Sequence, residues 1–392
     1  MKKRCYNVFM AVILGACVLT GCQETPQVSA DQDVLHARSA LESEVDAVAA
    51  EGAGTNGAEQ SGTYDAVVGT EENGIWICAE ISAVPQTIPQ LTLRERDDWD
   101  GELLKALLDS ESGRVEDVTA EYLAQREKEL SEMDEEDIPS EWPRFGDDSL
   151  LMFSDGQKEA SFARNSCASY DDKALKEECT AIYKTAPEID VTENGECDSA
   201  KFSVSHAEAV LLEKLAVLNI EEISIFQVYY YELGATAFYE LRFTPSYEKV
   251  GVASEFGSIS IGEVHPDGMA WVTENGVAML RLEDFCGRIT EQSEEGTVLT
   301  FSQVTDILGK YLENNTLCGV SQAKLTHAEL VYYPVFRDPD LILTPVWHIY
   351  TPLKQGLESA ESGDAAWNAV FEKAAATNIY LDAVTGKLIE AE

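Results

Sequence analysis

Positive charge is scarce in this chain: 28 lysines and arginines stand against 71 aspartates and glutamates, a formal net charge of −43. An exterior so acidic repels nucleic-acid phosphates and anionic headgroups and favours hydrated cations and basic partners, so nucleic-acid binding is excluded. Histidine is scarcer still, with five residues. No His-Glu-x-x-His, Gly-x-Ser-x-Gly or Gly-rich phosphate loop occurs, so zinc-protease, serine-hydrolase and nucleotide chemistry lack their usual signatures. No Cys-x-x-Cys occurs, which leaves zinc-ribbon and thioredoxin-like chemistry without support. Beyond the N-terminus no apolar run is long enough for a bilayer span, which needs about 20 residues.

What is present begins at the N-terminus. Lys2, Lys3 and Arg4 precede an apolar run from Val8 to Leu19, and Leu19-Thr20-Gly21-Cys22 closes it with small residues before a cysteine. Those are the proportions of a cleaved signal rather than of a membrane span. The ending predicts residues 1–22 to be a lipoprotein signal peptide with lipobox, with lipidation at Cys22. Two or more acyl chains there give stable anchoring on the extracytoplasmic face of the cell membrane. Residues 23–73 are rich in Ala, Glu, Gly, Ser and Thr and poor in large apolar side chains. They read as a flexible acidic stalk, with a reach of about 5–6 Å times the square root of the residue count.

The folded part is expected from Gly74. Ile75–Ile81 alternates as a strand, Gly101–Leu108, Ala120–Met133 and Ala174–Lys184 read as helices, and Ser154-Asp155-Gly156 reads as a hairpin turn. Residues 74–200 form an N-terminal α+β region on this reading. Two similar units follow, 201–299 and 300–392. In the first, Ser205-His206-Ala207-Glu208 fits a capping box ahead of an apolar helical stripe, Val210, Leu211, Leu215 and Leu218. Strand-like runs come next, and Asn275-Gly276 marks a hairpin. In the second, Ser302 would cap a helix carrying Val304, Ile307, Leu308, Tyr311 and Leu312, again followed by strands. The fold class is α+β, with tandem helix-on-antiparallel-sheet units.

The closing segment Ile379-Tyr380-Leu381-Asp382-Ala383-Val384-Thr385-Gly386-Lys387-Leu388 resembles the terminal hairpin of PepSY-type domains. Thr344-Pro345-Val346-Trp347-His348-Ile349 resembles the preceding strand of PepSY and YycH/YycI-type extracytoplasmic proteins. The whole-chain plan is similar to uncharacterised clostridial lipoproteins of domain-of-unknown-function family 6034. Shared features are the Gly-Cys-Gln start, the acidic stalk, Glu80–Pro89, Leu299-Thr300-Phe301-Ser302 and Pro345-Val346-Trp347. The resemblance implies a surface lipoprotein and brings no catalytic or cofactor site.

Several side chains stand out as chemical candidates. Cys167 and Cys179 are the first choice for a disulfide among the six cysteines that follow Cys22; buried free thiols are the alternative. His327 and His348 on adjacent strands could hold a metal, although strand histidines are more often packed or exposed singly. Asp97-Asp98-Trp99-Asp100 could bind calcium or simply start a helix. Ser246-x-x-Lys249 and Ser321-x-x-Lys324 have a penicillin-binding spacing without its companion motifs. Tyr229-Tyr230-Tyr231 and Tyr332-Tyr333 offer either core rings or an exposed recognition surface. Weighed together, these residues supply no catalytic, metal or cofactor set. The expectation is a non-catalytic protein- or peptide-binding or regulatory module with an envelope or membrane protein partner. The alternatives are a solute- or cation-binding lipoprotein and an envelope hydrolase with an unrecognised site.

Overall fold

The computed structural model describes residues 62–70, 74–94, 100–109, 114–132, 150–163, 167–186, 189–190, 200–253, 267–283, 288–314, 323–337, 340–351 and 378–389. All lie in one compact unit, Val45–Glu392. Cys22, the expected lipidation site, lies outside the described residues. Strands β1 (Gly62–Val68), β2 (Ile75–Ile81), β3 (Thr87–Ile88) and β4 (Leu91–Arg94) precede helix α1 (Gly101–Leu108). Then come β5 (Glu116–Asp117), α2 (Thr119–Glu132), β6 (Leu150–Ser154), β7 (Lys158–Ala163), β8 (Cys167–Asp172), α3 (Lys173–Tyr183) and β9 (Ile189–Asp190). Helix α4 (Val204–Ala216) leads into β10 (Ile223–Leu233), β11 (Thr236–Tyr247), β12 (Val250–Gly251), β13 (Asp267–Thr273), β14 (Gly276–Glu283), β15 (Arg288–Gln292) and β16 (Gly296–Thr297). Helix α5 (Phe301–Glu313), β17 (Lys324–Leu325), β18 (His327–Arg337), β19 (Asp340–Tyr350) and β20 (Asn378–Asp382) complete the chain. The fold is therefore mixed α+β and mostly strand. Among the described residues no helix is long and apolar enough to cross a membrane.

The largest sheet runs β5-β6-β7-β8-β14-β13-β11-β10-β9, with β12 added to β11. Its two faces are covered by different helices. Leu104, Leu107 and Leu108 of α1 and Ala207, Leu211 and Leu215 of α4 pack on one face, against Phe162, Tyr170, Tyr239, Leu241, Phe243 and Leu280. On the other face Leu175, Cys179 and Ile182 of α3 meet Tyr229, Tyr231, Phe238 and Ala278. Strand alternation explains the split, because successive side chains of β10 and β11 go to opposite layers. Gly268 of β13 lies against the Phe243 ring, where an added Cβ would collide with the ring carbons. Gly268→Ala is accordingly expected to cost about 1–3 kcal/mol by overpacking, read as a lower urea midpoint.

A second sheet runs β15-β4-β19-β18, with β20 also on β19. Helix α5 buries Phe301, Val304, Ile307, Leu308 and Leu312, and Phe301 meets Tyr64 of β1 and Trp347 of β19 edge-on or tilted. The Trp347 Nε1–H donates to Leu299 O at 3.0 Å, so the helix entrance is pinned to the sheet. The two sheets meet at β12, where Val252 bridges to Tyr332 and Ala253 N–H donates to Tyr332 O at 2.9 Å.

Several expectations change. The stalk does not run to residue 73, because Gly62–Val68 pairs along all of β2; Tyr64 finds Phe301, and Val68 is buried. The boundary at 200 is crossed by a sheet, since β8 pairs with β14 and joins β6–β8 to β10–β14. The boundary at 299 is likewise crossed, because β4 and β15 share a sheet with β18–β20. Both helix caps fall two residues earlier than expected. Ser203, not Ser205, accepts from His206 N–H, because Tyr239 Oη–H donates to Phe202 O and places the chain there. Thr300, not Ser302, caps α5, since Thr300 and Gln303 supply the reciprocal capping box that Ser302 and Thr305 cannot. The hairpins at Asp155-Gly156 and Asn275-Gly276 form, the latter with Glu274 and Asn275 in the loop.

Candidate functional site

Strand register assembles two rows of side chains on the α3 side of the large sheet. One row reads Tyr229, Glu240, Trp271, Met279, Asp171 and Glu159 across β10, β11, β13, β14, β8 and β7. The next reads Gln227, Arg242, Met269, Arg281, Ser169 and Ser161. Helix α3 covers the neighbouring aromatic rows and stops there, leaving Arg242, Met269, Arg281 and Trp271 partly accessible.

The charges in these rows are held by one another. Glu240 is only 3% exposed; its Oε1 accepts from Arg242 Nε–H at 2.9 Å and its Oε2 from Trp271 Nε1–H at 3.2 Å. Arg242 also lies over the Tyr229 ring. Asp171 accepts from Arg281 on both oxygens, at 2.8 and 2.9 Å, and from Lys176 at 2.7 Å. The other Arg281 amino group donates to the backbone carbonyls of Tyr170 and Leu280, which fastens β14 to β8. Lys173 pairs with Glu159, and the Ser161 and Ser169 hydroxyls share a hydrogen bond. Tyr183, at the end of α3 and 49% exposed, stacks on Trp271 at 5.4 Å. The result is a rigid surface of arginine, methionine and aromatic side chains with little unbalanced charge. Sequence reasoning missed it. The one local signal was Glu240-x-Arg242, a charged pair on one face of an otherwise apolar strand.

The candidates taken from sequence fall elsewhere. Tyr229, Tyr230, Tyr231, Tyr332 and Tyr333 are all buried, so the exposed-ring alternative gives way to core packing. His327 and His348 share a face of the second sheet but form no metal site, and no group of three metal-ligating residues occurs among the described residues. His348 is buried, with its ring parallel to Tyr350 at 3.9 Å and to Tyr380 at 4.4 Å. Its Nε2–H donates to Asn378 Oδ1 at 2.9 Å, and its Nδ1 lies 3.6 Å from Glu329 Oε1. Hydrogen bonding and charge from His348, with smaller contributions from Tyr350 and His327, hold the half-exposed Glu329 carboxyl below the usual glutamate range.

No disulfide joins Cys167 to Cys179. Cys179 faces the core from α3 while Cys167 opens β8, and burial raises the Cys179 thiol to about 12, which makes it unreactive. Ser246-x-x-Lys249 is a tight turn: Tyr247 pairs with Val250, and Glu248 and Lys249 both have positive φ. That geometry spends the motif on backbone reversal. Asp97 and Asp98 lie outside the described residues, as does Ser321. Asp100 caps α1, accepting from Glu102 N–H and Leu103 N–H, which is the helix-start alternative. Lys214 of α4 is a further candidate that sequence did not single out. It donates to Leu107 O at the end of α1 and sits 3.9 Å from the centre of the Tyr170 ring. Burial, then the charge of Lys158, lowers its pKa to about 8. Its contacts are those of a brace between two helices, with the amine on the negative end of α1.

No family model matches the chain, and no curated protein matches it. The chain is similar in structure to an uncharacterized protein from Eubacterium rectale ATCC 33656, known from a crystal structure at 1.45 Å resolution. The TM-score is 0.49 and the identity 11%, over 91% of this chain and 99% of that one.

Proposed function

We propose that this chain is a membrane-anchored extracytoplasmic lipoprotein, held by lipid on Cys22, whose folded part is a non-catalytic protein- or peptide-binding or regulatory module. The anchoring part rests on the Leu19-Thr20-Gly21-Cys22 ending of the apolar run. The binding part rests on one observation, the surface built by Arg242, Met269, Arg281, Trp271 and Tyr183 on the large sheet. Arginine, methionine and aromatic residues are enriched where proteins meet, and acidic residues are depleted there. Finding that composition on a chain of net charge −43 supports a partner site at this face. Its pairing supports binding over chemistry, because Glu240 and Asp171 are each engaged by arginine and are poorly placed to shuttle protons. The PepSY/YycI-like part of the proposal takes α4 with β10–β14 and α5 with β18–β20 as two related helix-on-sheet units. The recurring element order supports it.

The test is in-cell crosslinking from a photoreactive residue at position 269, in the wild type and in Cys22→Ala. A single stoichiometric membrane protein, captured only when Cys22 is intact, is the expected result. Recovery of the protein alone from position 269 would remove the support for a partner at this face. A Cys22→Ala protein that still enters the detergent phase would overturn the anchor.

A further inference from the structure

We propose that the folded chain is two lobes, one inserted into the other, held in a single orientation by a clasp in which Val252-Ala253 closes on Tyr332. The host lobe comprises β1–β4, β15–β20 and α5; the inserted lobe, residues 100–283, carries the elements between β4 and β15. The chain leaves the host after Arg94 and re-enters it at Arg288, and those two residues are register partners in the β4–β15 ladder. Exit and return lying side by side are what the insertion of one domain into another requires. The host strands stay paired beyond that point, Thr87-Ile88 against Gly296-Thr297. The cores are also separate. The two clusters on the faces of the large sheet draw all their buried residues from Leu104 to Leu282, within the inserted lobe. Among the described residues strand pairing crosses between the lobes at one place, the Val252–Tyr332 bridge.

That crossing is built as a fastening. β11 and β12 form a tight hairpin that carries Val252 and Ala253 out of the inserted lobe. Ala253 N–H donates to Tyr332 O at 2.9 Å, and Ala253 is buried with Val331, Tyr333, Val346 and Tyr380 of the host. Tyr247 meets the Tyr332 ring edge-on, and Gln292 of β15 donates to Glu248 Oε1 at 3.5 Å. Tyr332 is itself keyed into the host by its hydroxyl, which donates to Pro89 O. The hairpin is strained, because Glu248 and Lys249, neither of them glycine, take φ of 53° and 67°. Such conformations persist only where their surroundings impose them. Here Glu222 Oε2 accepts from Lys249 N–H on one side, and the host grips Ala253 on the other. Release of Ala253 frees one end of the strained turn and leaves the β4–β15 pair as the joint about which the inserted lobe turns. β11 also carries Arg242, so an open clasp redirects that face relative to the host lobe, whether or not the face has a partner.

The distance between the lobes of the full chain tests this, read by pulsed electron paramagnetic resonance from nitroxides at the exposed positions 67 and 151. Attaching them through keto amino acids leaves the native cysteines untouched. The wild type is expected to give one narrow distribution. Ala253→Asp, which puts a charge among the buried host residues, is expected to widen it about twofold or more, while hydrogen exchange finds α4 and α5 still protected. Should that variant not fold, Tyr247→Ala, at a partly exposed position, decides instead and is expected to widen the distribution by a smaller factor. An unchanged distribution in a folded variant would overturn the clasp. So would a wild type whose distribution is already broad.

Discussion

Replacing Arg242 by leucine is expected to destabilise the fold by about 3–5 kcal/mol, while Arg242→Leu together with Glu240→Leu recovers most of that loss. The reason is where Glu240 sits. Its carboxylate is almost fully enclosed on the central strand β11 and keeps only the Trp271 N–H once the guanidinium is gone. A buried charge without its partner costs far more than the pair contributes, because desolvation is no longer offset. In the double variant no charge is stranded, and two leucines can pack against Tyr229 and the Trp271 ring. The indole N–H then loses its acceptor, so recovery stops short by about 1–3 kcal/mol. Urea unfolding of the four proteins gives the coupling directly. A cost below about 1 kcal/mol for Arg242→Leu would place the pair among exposed ion pairs and argue for water at Glu240. The same cycle bears on the proposed binding role, since a surface held this rigidly would meet a partner already organised.

Elements whose pattern is complete within a short window were legible in the sequence. Ile75–Ile81 alternates buried and partly exposed positions, and Gly101–Leu108 puts its leucines on one side. Both strand and helix follow from residues a few positions apart. The caps were less so, because Ser203 and Ser205 are chemically equivalent and Phe202 decides between them through Tyr239, far along the chain. Sheet membership was not legible at all. Nothing local distinguishes β8 as the neighbour of β14, yet that pairing puts Asp171 under Arg281 and turns two expected regions into one sheet. The histidines show the same limit. His327 and His348 were visible as neighbours on adjacent strands, but Glu329, Asn378 and the two flanking tyrosines, which set the chemistry of His348, emerge only once β20 is placed.

Residues 300–392 expressed alone are expected to lack a cooperative unfolding transition. Read from sequence, this span is a unit with its own helix and sheet; in the structure its sheet is incomplete without earlier chain. β19 pairs with β4 through Leu341–Leu343 and Leu91–Leu93, and β17 lies beside β2. Tyr332, fully buried, donates its hydroxyl to Pro89 O, and Phe301 packs on Tyr64. Cutting at residue 300 also removes Leu299, whose carbonyl accepts from Trp347 and whose N–H donates to Ala383. Leu91, Leu93, Ile75, Ile77 and Ile88 are all essentially inaccessible in the fold, so the cut uncovers the surfaces they pack against. At about 1.5–3 kcal/mol for each such side chain, the lost burial is of the same order as the roughly 5–15 kcal/mol that stabilises a typical domain. The measurement is circular dichroism of the fragment through a urea titration, beside residues 62–392. A steep transition in the fragment would mean that α5 and β18–β20 close a core by themselves, and the strands from β1 to β4 would then be an addition to that core. A gradual, baseline-like change would mean that the chain folds by weaving its first strands between its last, so that the strands from β1 to β4 and the C-terminal segments are stable only together.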